Sequence, residues 1–253
     1  MKHRIKIQDF LFISILFLNI SLPAQSIENL GKHLGWFVCD PYNLFVHTDG
    51  AYLASQIWVL GVSGLLMLPD DDVRYMVREN YCDGDKNPLN YINYLGTTDV
   101  IKIVGGFYGL TLLTKNTKLQ DAAFTSLQSI AYAEFFTNSF KYIIGRKRPD
   151  ETDPDSRDGQ LEFDPFSGSY FSGAESFPSG HATISAAMIT PWFMYYPHWS
   201  TALLFTAALG VDVARMGLDR HWSTDVLAGT GIGFFTGFFL SKIHQSGSDS
   251  FTL

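Results

Sequence analysis

Six apolar stretches of helical length dominate this chain of 253 residues. None of them shows the strict two-residue alternation expected of half-buried β-strands. The pattern therefore predicts an all-α fold, a bundle of about six core helices. The predicted helices run from Tyr52 to Leu68, Asp99 to Thr114, Asp121 to Ile144, Ala182 to Tyr196, Thr201 to Met216 and Asp225 to Lys242.

The N-terminus has the pattern of an export signal. Lys2, Arg4 and Lys6 precede an apolar run from Phe10 to Ile20, and the small residues that follow offer a cleavage site. The run is short for a membrane span. We therefore expect residues 1–24 to be a signal peptide that directs the chain to the periplasm, with an uncleaved amphipathic anchor as the alternative.

The rest of the chain divides around the helical domain. We expect residues 25–51, which are rich in turn residues, to wrap the core rather than form it. Residues 52–242 are expected to form the domain itself, and residues 243–253 a C-terminal tail.

Two polar segments interrupt the predicted bundle. The first, residues 69–98, begins with Asp70-Asp71-Asp72, which we expect to lie in solvated turns because no complete calcium-loop pattern follows. The second, residues 149–177, is long for a loop inside a compact domain. Such loops are usually functional, so this one is a candidate roof or gate for a site.

The charge balance excludes one class of partner. The chain carries a formal net charge of −7, while its cations cluster in the middle of the sequence. A nucleic-acid binder of this kind would need a broad basic face, so we expect no nucleic-acid partner. A local anion site on an acidic protein fits the distribution better.

The chain has only two cysteines, Cys39 and Cys82. An oxidising compartment permits a disulfide between them, but two cysteines without a geometric constraint are equally compatible with buried thiols. Neither their spacing nor their neighbours suggest metal ligation, and we expect no metal site.

The first of three short motifs pairs Lys141 with Arg148. The two are seven residues apart and therefore lie on one face near the end of the third helix, which Pro149 is expected to stop. Taken alone, these cations with Arg146 and Lys147 are typical of a solvated helix face.

The second motif is Pro178-Ser179-Gly180-His181, directly before an apolar helix. Ser179 can cap that helix and Gly180 lets a ligand approach the backbone. The free N–H groups and the helix dipole then favour a bound anion. As an isolated tetrapeptide, however, the motif is more often a plain helix start with a surface histidine.

The third motif places Arg215 six residues before His221, with Gly217 expected to interrupt the helix so that both side chains converge. His221 and Asp225 are four residues apart on the next helix. The carboxylate can accept a hydrogen bond from one imidazole nitrogen and leave the other free to attack. Such a pair alone is often a helix-surface contact, but the three motifs together supply what a phosphate dianion needs.

In this order the motifs resemble the signature of the type 2 phosphatidic acid phosphatase and vanadium haloperoxidase superfamily. That signature is Lys-x6-Arg-Pro, Pro-Ser-Gly-His and Ser-Arg-x5-His-x3-Asp, within a resemblance that covers residues 52–242. One residue departs from it, since Ala214 stands where the family usually has Ser. That Ser is not the nucleophile, so we expect a small change in packing around Arg215 and no loss of chemistry.

The resemblance implies a metal-independent phosphatase that needs no cofactor and has its active site at helix ends. It implies that His221 is the nucleophile that takes the phosphoryl group, that Asp225 orients it, and that His181 is the general acid and base. The residues that would bind the phosphoryl oxygens are Lys141, Arg148, Ser179, Gly180 and Arg215.

Several functions stay open. The leading one is hydrolysis of lipid or isoprenoid phosphate monoesters, with pyrophosphates as a further substrate class. The alternative is a soluble, nonspecific acid phosphatase of the periplasm. A vanadium-dependent haloperoxidase fits poorly because those enzymes are generally much longer, and an inactive envelope scaffold is expected to have lost a motif residue.

The relation to the membrane is also open. A cleaved signal, six membrane spans and an outward-facing site exclude one another, because counting spans forward puts Arg148, His181 and Arg215 on the cytoplasmic side. A bundle that is soluble, or that touches the membrane with one face, removes the conflict. We expect an envelope protein exported to the periplasm, with membrane association or embedding left open.

Overall fold

The computed structural model describes residues 23–80, 89–153, 159–166 and 175–246. These residues form nine α-helices and one isolated antiparallel bridge, between Arg146 and Phe163. The all-α prediction is therefore confirmed. The helices are α1 (Ala24–Val46), α2 (Ala51–Leu65), α3 (Asp70–Asn80), α4 (Leu89–Asn93), α5 (Asp99–Thr111), α6 (Thr117–Ile144), α7 (Gly180–Tyr195), α8 (Trp199–Gly217) and α9 (Ser223–Gln245).

The six predicted core helices are confirmed as α2 and α5 to α9. Apolar side chains from four of them meet in one buried cluster, which includes Val104, Ile130, Ile184 and Ile232. Helices α7 and α9 approach closely because α9 presents glycine at their contact. A Cβ at Gly229 would lie 2.3 Å from the carbonyl oxygen of Ser179.

The direction of the helices brings the three motifs to one end of the bundle. Helices α6 and α8 end there, and α7 and α9 begin there. We call this the motif end, and we call the opposite end, where α6 begins and α9 ends, the far end. At 1.5 Å per residue, the 23 residues of α9 separate the two ends by about 34 Å.

Residues 25–51 differ from expectation because most of them form helix α1. The turn signal Asp40-Pro41 lies inside this helix without ending it. Leu44 of α1 also belongs to a buried cluster with Tyr52 and Leu240, so the segment contributes to the core. At the other terminus, α9 continues to Gln245, three residues into the expected tail.

The first polar segment also differs from expectation. Asp70 is not in a solvated turn but begins helix α3, and its side chain is fully buried. The choice between a disulfide and two thiols stays open, because Cys82 lies outside the described residues, as do residues 1–22 of the expected signal peptide. Those expectations stay predictions.

One helix of the described chain, α9, is long and apolar enough to cross a membrane. It is also the central helix of the bundle, and 56% of its most apolar window is buried inside the protein. Helices α2 and α3 pass the same test only as a pair, and they are bent by 74° relative to each other.

Candidate active site

The first motif leaves its helix earlier than its sequence predicts. Helix α6 ends at Ile144, five residues before Pro149, because Gly145 adopts a left-handed conformation with φ +62°. A Cβ at Gly145 would lie 2.0 Å from the carbonyl oxygen of Asp164, so only glycine fits there. The expectation that Pro149 stops the helix is wrong, and Arg148 projects from extended chain rather than from a helix face.

Lys141 lies in the last turn of α6 and is 5% exposed. Its Nζ donates a hydrogen bond to the carbonyl oxygen of Glu175 and lies 3.5 Å from that of Ser176, just before the second motif. Burial, and next the neighbouring Arg148, lower the pKa of Lys141 to about 8. The ammonium group therefore stays charged at neutral pH in a site that disfavours further positive charge.

The second motif begins helix α7 as its sequence predicts. Ser179 is the N-cap residue, and its Oγ accepts a hydrogen bond from the backbone N–H of Ala182 at 3.5 Å. Its own N–H donates to the backbone oxygen of Asp225 at 2.9 Å, which ties the second motif to the third. Gly180 is the first residue of the helix, where backbone N–H groups lack partners within the helix.

His181 follows in the first turn of α7. No hydrogen bond from the described part of the chain reaches its imidazole ring. Burial, followed by Arg215, Arg148 and Lys141, lowers the pKa of His181 to about 3. The free protein therefore holds this imidazole neutral, and a bound anion would raise its pKa.

Arg215 lies in the last turn of α8 and is almost fully buried. Its Nη1 donates to Oδ1 of Asn93 at 3.1 Å, whereas its buried Nε has no partner among the described residues. Burial and the nearby Arg148 lower the pKa of Arg215 to about 9. A guanidinium with an unused donor is suited to bind a phosphate oxygen.

The pair of His221 and Asp225 lies at the start of α9. Nδ1 of His221 is 3.5 Å from Oδ2 of Asp225 and 3.4 Å from Oγ of Ser176. Within the described chain no hydrogen bond reaches Nε2. Burial, and next Lys141 and Arg215, lower the pKa of His221 well below its usual value, so the ring is neutral and nucleophilic.

The site therefore combines three cations with two neutral histidines at one end of the bundle. Lys141, Arg148 and Arg215 all lower the pKa values of both histidines, so the three charges lie near both imidazole rings. Such a set can bind an anion with more than one charge and present an imidazole nitrogen to it. No group of three or more metal-ligating side chains occurs among the described residues.

Sequence reasoning missed four residues that support this site: Asp70, Asn93, Arg146 and Ser176. The expectation that Arg146 lies on a solvated face is wrong, since its side chain is fully buried. Lys147, by contrast, is 46% exposed and pairs with Glu162 at the surface. Nothing in the sequence marked Ser176 and Asn93 as site residues, because both lie in segments without a recognisable pattern.

The expected roof over the site lies only partly within the described chain. Residues 149–153, 159–166 and 175–177 are described, while residues 154–158 and 167–174 are not. The gating role of the segment stays a prediction.

Comparison with known proteins identifies relatives of this arrangement. The family model described as the PAP2 superfamily matches residues 122–248, about half of the chain, and that stretch contains all three motifs. The lipid A 1-phosphatase of Rhizobium johnstonii is 32% identical over 105 residues, which are 42% of this chain and 41% of that protein. The undecaprenyl-diphosphatase of Sulfolobus acidocaldarius is 32% identical over 72 residues, 28% of this chain and 35% of that protein.

A solved structure shares the fold. The crystal structure of a transmembrane PAP2 type phosphatidylglycerolphosphate phosphatase from Bacillus subtilis matches with a TM-score of 0.50 at 17% identity. The match covers 78% of this chain and 96% of that one. The chain spans less than half the length of the curated relatives named above.

Proposed function

Since the chain belongs to the PAP2 superfamily, we propose that it is a phosphatase that hydrolyses lipid or isoprenoid phosphates through a phosphohistidine intermediate. One observation carries the proposal. Nε2 of His221 is not hydrogen-bonded within the described chain, and it belongs to a ring whose pKa is lowered by burial and by the nearby charges of Lys141, Arg215 and Arg148.

Substrate binding falls to the cations and to the start of α7. Lys141, Arg148 and Arg215 neutralise the phosphate dianion, and the N–H of Gly180 with the Ser179 hydroxyl completes the set of donors. These groups stabilise the charge on the non-bridging oxygens as the transition state forms.

In the first chemical step, Nε2 of His221 attacks phosphorus and the bond from phosphorus to the alcohol oxygen breaks. His181 donates its proton to that oxygen, so the alcohol leaves neutral. Because burial and three nearby cations lower the pKa of His181 to about 3 in the free protein, we infer that His181 gains its proton only when the dianion binds. The imidazole of His221 becomes cationic, and Asp225 stabilises that charge.

In the second step, His181 is neutral and takes a proton from water. The water oxygen attacks phosphorus, the bond between phosphorus and Nε2 breaks, and phosphate is released. His221 returns to its neutral form, and His181 passes the proton on with the product.

A lipid substrate is supported by an apolar groove of about 510 Å³ between α2, α8 and α9. Trp58, Ala208, Leu227 and Phe234 are among its lining residues. Ala208 lies seven residues before Arg215, which corresponds to about 10 Å along α8. A phosphate held at the motif end would thus place a hydrocarbon tail beside the groove.

Membrane contact is supported by the outer surface of the bundle. Exposed apolar side chains cover the outside of α1, α2 and α8, among them Val38 (76% exposed), Trp58 (72%), Leu65 (80%) and Trp199 (69%). In helix α1 the polar face is turned inward and the apolar face outward, which is the opposite of a helix in a water-soluble bundle. Its buried residues are Ser26, Asn29, His33, Asp40, Asn43 and Leu44.

These observations favour an envelope protein bound to the membrane over a freely soluble one. An apolar outer surface of this extent is costly in water but favourable against hydrocarbon. Export to the periplasm follows from the N-terminal pattern alone and is part of the proposal.

One experiment tests both the substrate and the location. Cells that express the chain are fractionated, the membranes are washed with carbonate, and phosphate release is measured from phosphatidic acid and from a soluble aryl phosphate. We expect the activity to stay with the washed membranes and to favour the lipid. Activity in the soluble fraction on the aryl ester alone would instead support the alternative, a soluble acid phosphatase.

A further inference from the structure

Behind the candidate nucleophile lies a fully buried arginine that belongs to none of the phosphate-binding positions. Arg146 makes at least four hydrogen bonds, all to protein groups. Its Nε donates to the carbonyl oxygen of Gln160 at 2.9 Å, and its Nη1 donates to Oγ1 of Thr224 at 2.9 Å and to Oδ1 of Asp225 at 2.7 Å. Its Nη2 donates to Oδ2 of Asp70 at 2.8 Å. With these donors engaged, the guanidinium is not available to a substrate.

Asp70, the second carboxylate bound to Arg146, holds the first turn of α9 in place. Oδ1 of Asp70 accepts hydrogen bonds from the backbone N–H of Thr224 at 3.0 Å and from Oγ of Ser223 at 2.5 Å. Its Oδ2 also accepts from the Thr224 hydroxyl. Asp70 therefore caps the helix that carries Asp225, although it lies 154 residues before Thr224 in the chain.

Both oxygens of Asp225 are fixed by this arrangement. Oδ1 is held by Arg146, while Oδ2 accepts from the backbone N–H of Trp222 at 2.8 Å and from the Ser176 hydroxyl. The carboxylate cannot rotate without breaking these bonds. Its orientation toward Nδ1 of His221, 3.5 Å away, is thus set by three groups, of which only the Ser176 hydroxyl also contacts the ring.

We propose that Arg146 and Asp70 are positioning residues for the nucleophile, acting on His221 through the Asp225 carboxylate. The inference rests on the proposed function. Arg146 holds Asp225 in place, and Asp70 holds both Arg146 and the first turn of α9. A guanidinium is needed because its planar fork reaches two carboxylates at once, which the single ammonium of lysine does not.

Arg146 also favours the charged form of Asp225. Burial raises the pKa of Asp225, and Arg146 is the strongest influence in the opposite direction. Without Arg146 the carboxyl group takes up a proton more readily, and a neutral acid stabilises the cationic imidazole of the intermediate less well.

The test uses the full-length protein with the variants Arg146→Met, Arg146→Lys and Asp70→Asn, and with Lys147→Met as the matched surface control. For each we would measure kcat, KM, inhibition by inorganic phosphate and the pH dependence of kcat. We expect Arg146→Met to lower kcat roughly 10- to 100-fold, with KM and phosphate inhibition unchanged within about threefold. The acid limb of its kcat profile should move up by about one pH unit or more.

The other variants rank the contributions. Arg146→Lys should restore part of the lost kcat, Asp70→Asn should lower kcat by about tenfold, and Lys147→Met should match the wild type. If Arg146→Met does not fold, the kcat and pH profiles of Arg146→Lys and Asp70→Asn test the inference instead. Wild-type kcat and an unmoved acid limb in all folded variants would overturn the inference, as would a loss of phosphate inhibition in Arg146→Lys.

The two proposals fail in different ways. A folded wild-type protein that releases phosphate from no ester contradicts the proposed function and the inference with it. An active wild type whose Arg146 variants are unaffected contradicts the inference alone.

Discussion

Both ends of the bundle contain buried histidine–aspartate pairs, but only one end has the properties of a catalytic site. At the far end, His244 uses both ring nitrogens, with Nε2 2.7 Å from Oδ2 of Asp40 and Nδ1 2.8 Å from Oγ1 of Thr125. His33 does the same with Asp121 and Tyr108. At the motif end, no hydrogen bond from the described chain reaches Nε2 of His221.

The surroundings differ in charge as well. At the far end, Lys32 forms an ion pair with Asp121, so its charge is balanced. The rings of Trp36 and His244 stack there, with their centroids 3.7 Å apart. At the motif end, burial and three nearby cations lower the pKa of both His181 and His221. A histidine–aspartate pair is therefore not itself a sign of catalysis. The distinguishing features are an imidazole nitrogen without a hydrogen bond in the described chain and several cations close to the ring.

The sharpest test of this contrast removes the nucleophile. We expect His221→Ala to lower kcat by roughly 10⁴-fold or more, because no other group can take the phosphoryl group. His181→Ala should lower kcat roughly 10²- to 10⁴-fold, since it removes acid and base catalysis but leaves the nucleophile. Both proteins should unfold at the wild-type temperature. Appreciable turnover by the His221 variant would rule out the assigned mechanism.

The matching change at the far end should affect stability instead. His244→Ala removes a buried hydrogen bond to the Asp40 carboxylate, and we expect the free energy of unfolding to fall by about 1.5–3 kcal/mol. Chemical denaturation measures this loss, and kcat of the folded protein should stay within about threefold of wild type. A large fall in kcat without loss of stability would mean that the two ends do not differ as described.

The cations of the motif end can be tested one at a time. Arg215→Met removes a donor to the phosphoryl group, and we expect kcat/KM to fall roughly 10²- to 10³-fold. Arg220→Met makes the same change in charge five residues away, at a side chain that is 52% exposed and paired with Asp150. Its kcat/KM should be close to wild type, and equal losses in both variants would indicate a general charge effect.

A smaller effect is expected in the pH dependence of phosphate binding. The pKa of Lys141 is lowered to about 8, so the charged form that binds phosphate is present below that pH and is lost as the pH rises through it. In Lys141→Arg the side chain stays charged. The ratio of the two inhibition constants for phosphate should change by about fivefold between pH 8 and pH 9, because the charged fraction of Lys141 falls from about one half to about one tenth. A ratio that does not depend on pH would show that Lys141 does not bind the anion.

The sequence placed the second and third motifs at helix ends because capping and glycine signals are local, whereas the helix-face prediction for Lys141 and Arg148 failed. Ser179 caps α7, and α8 ends at Gly217 with Arg215 in its last turn, as the local patterns predict. The supporting roles of Arg146 and Asp70 could not be predicted from the sequence. Each lies in a run of like charges, and only the tertiary fold selects which member of the run is buried.

Helix α1 is a second feature that the sequence pattern did not predict. Its sequence contains Asp40-Pro41 and a mixture of polar and apolar residues, which is typical of a turn-rich segment. Its polar face is buried against other polar side chains and its apolar face is exposed. A pattern rule that assumes apolar residues inside assigns such a helix incorrectly.

The phosphohistidine itself is the most direct test of the account. The protein is mixed with a ³²P-labelled phosphate ester, quenched in alkali within the first turnover, digested, and the labelled peptide is identified by mass spectrometry. We predict an acid-labile, alkali-stable phosphate on Nε2 of His221, with more label in His181→Ala than in the wild type and none in His221→Ala. Turnover without label on His221, or label on another residue, would contradict the account.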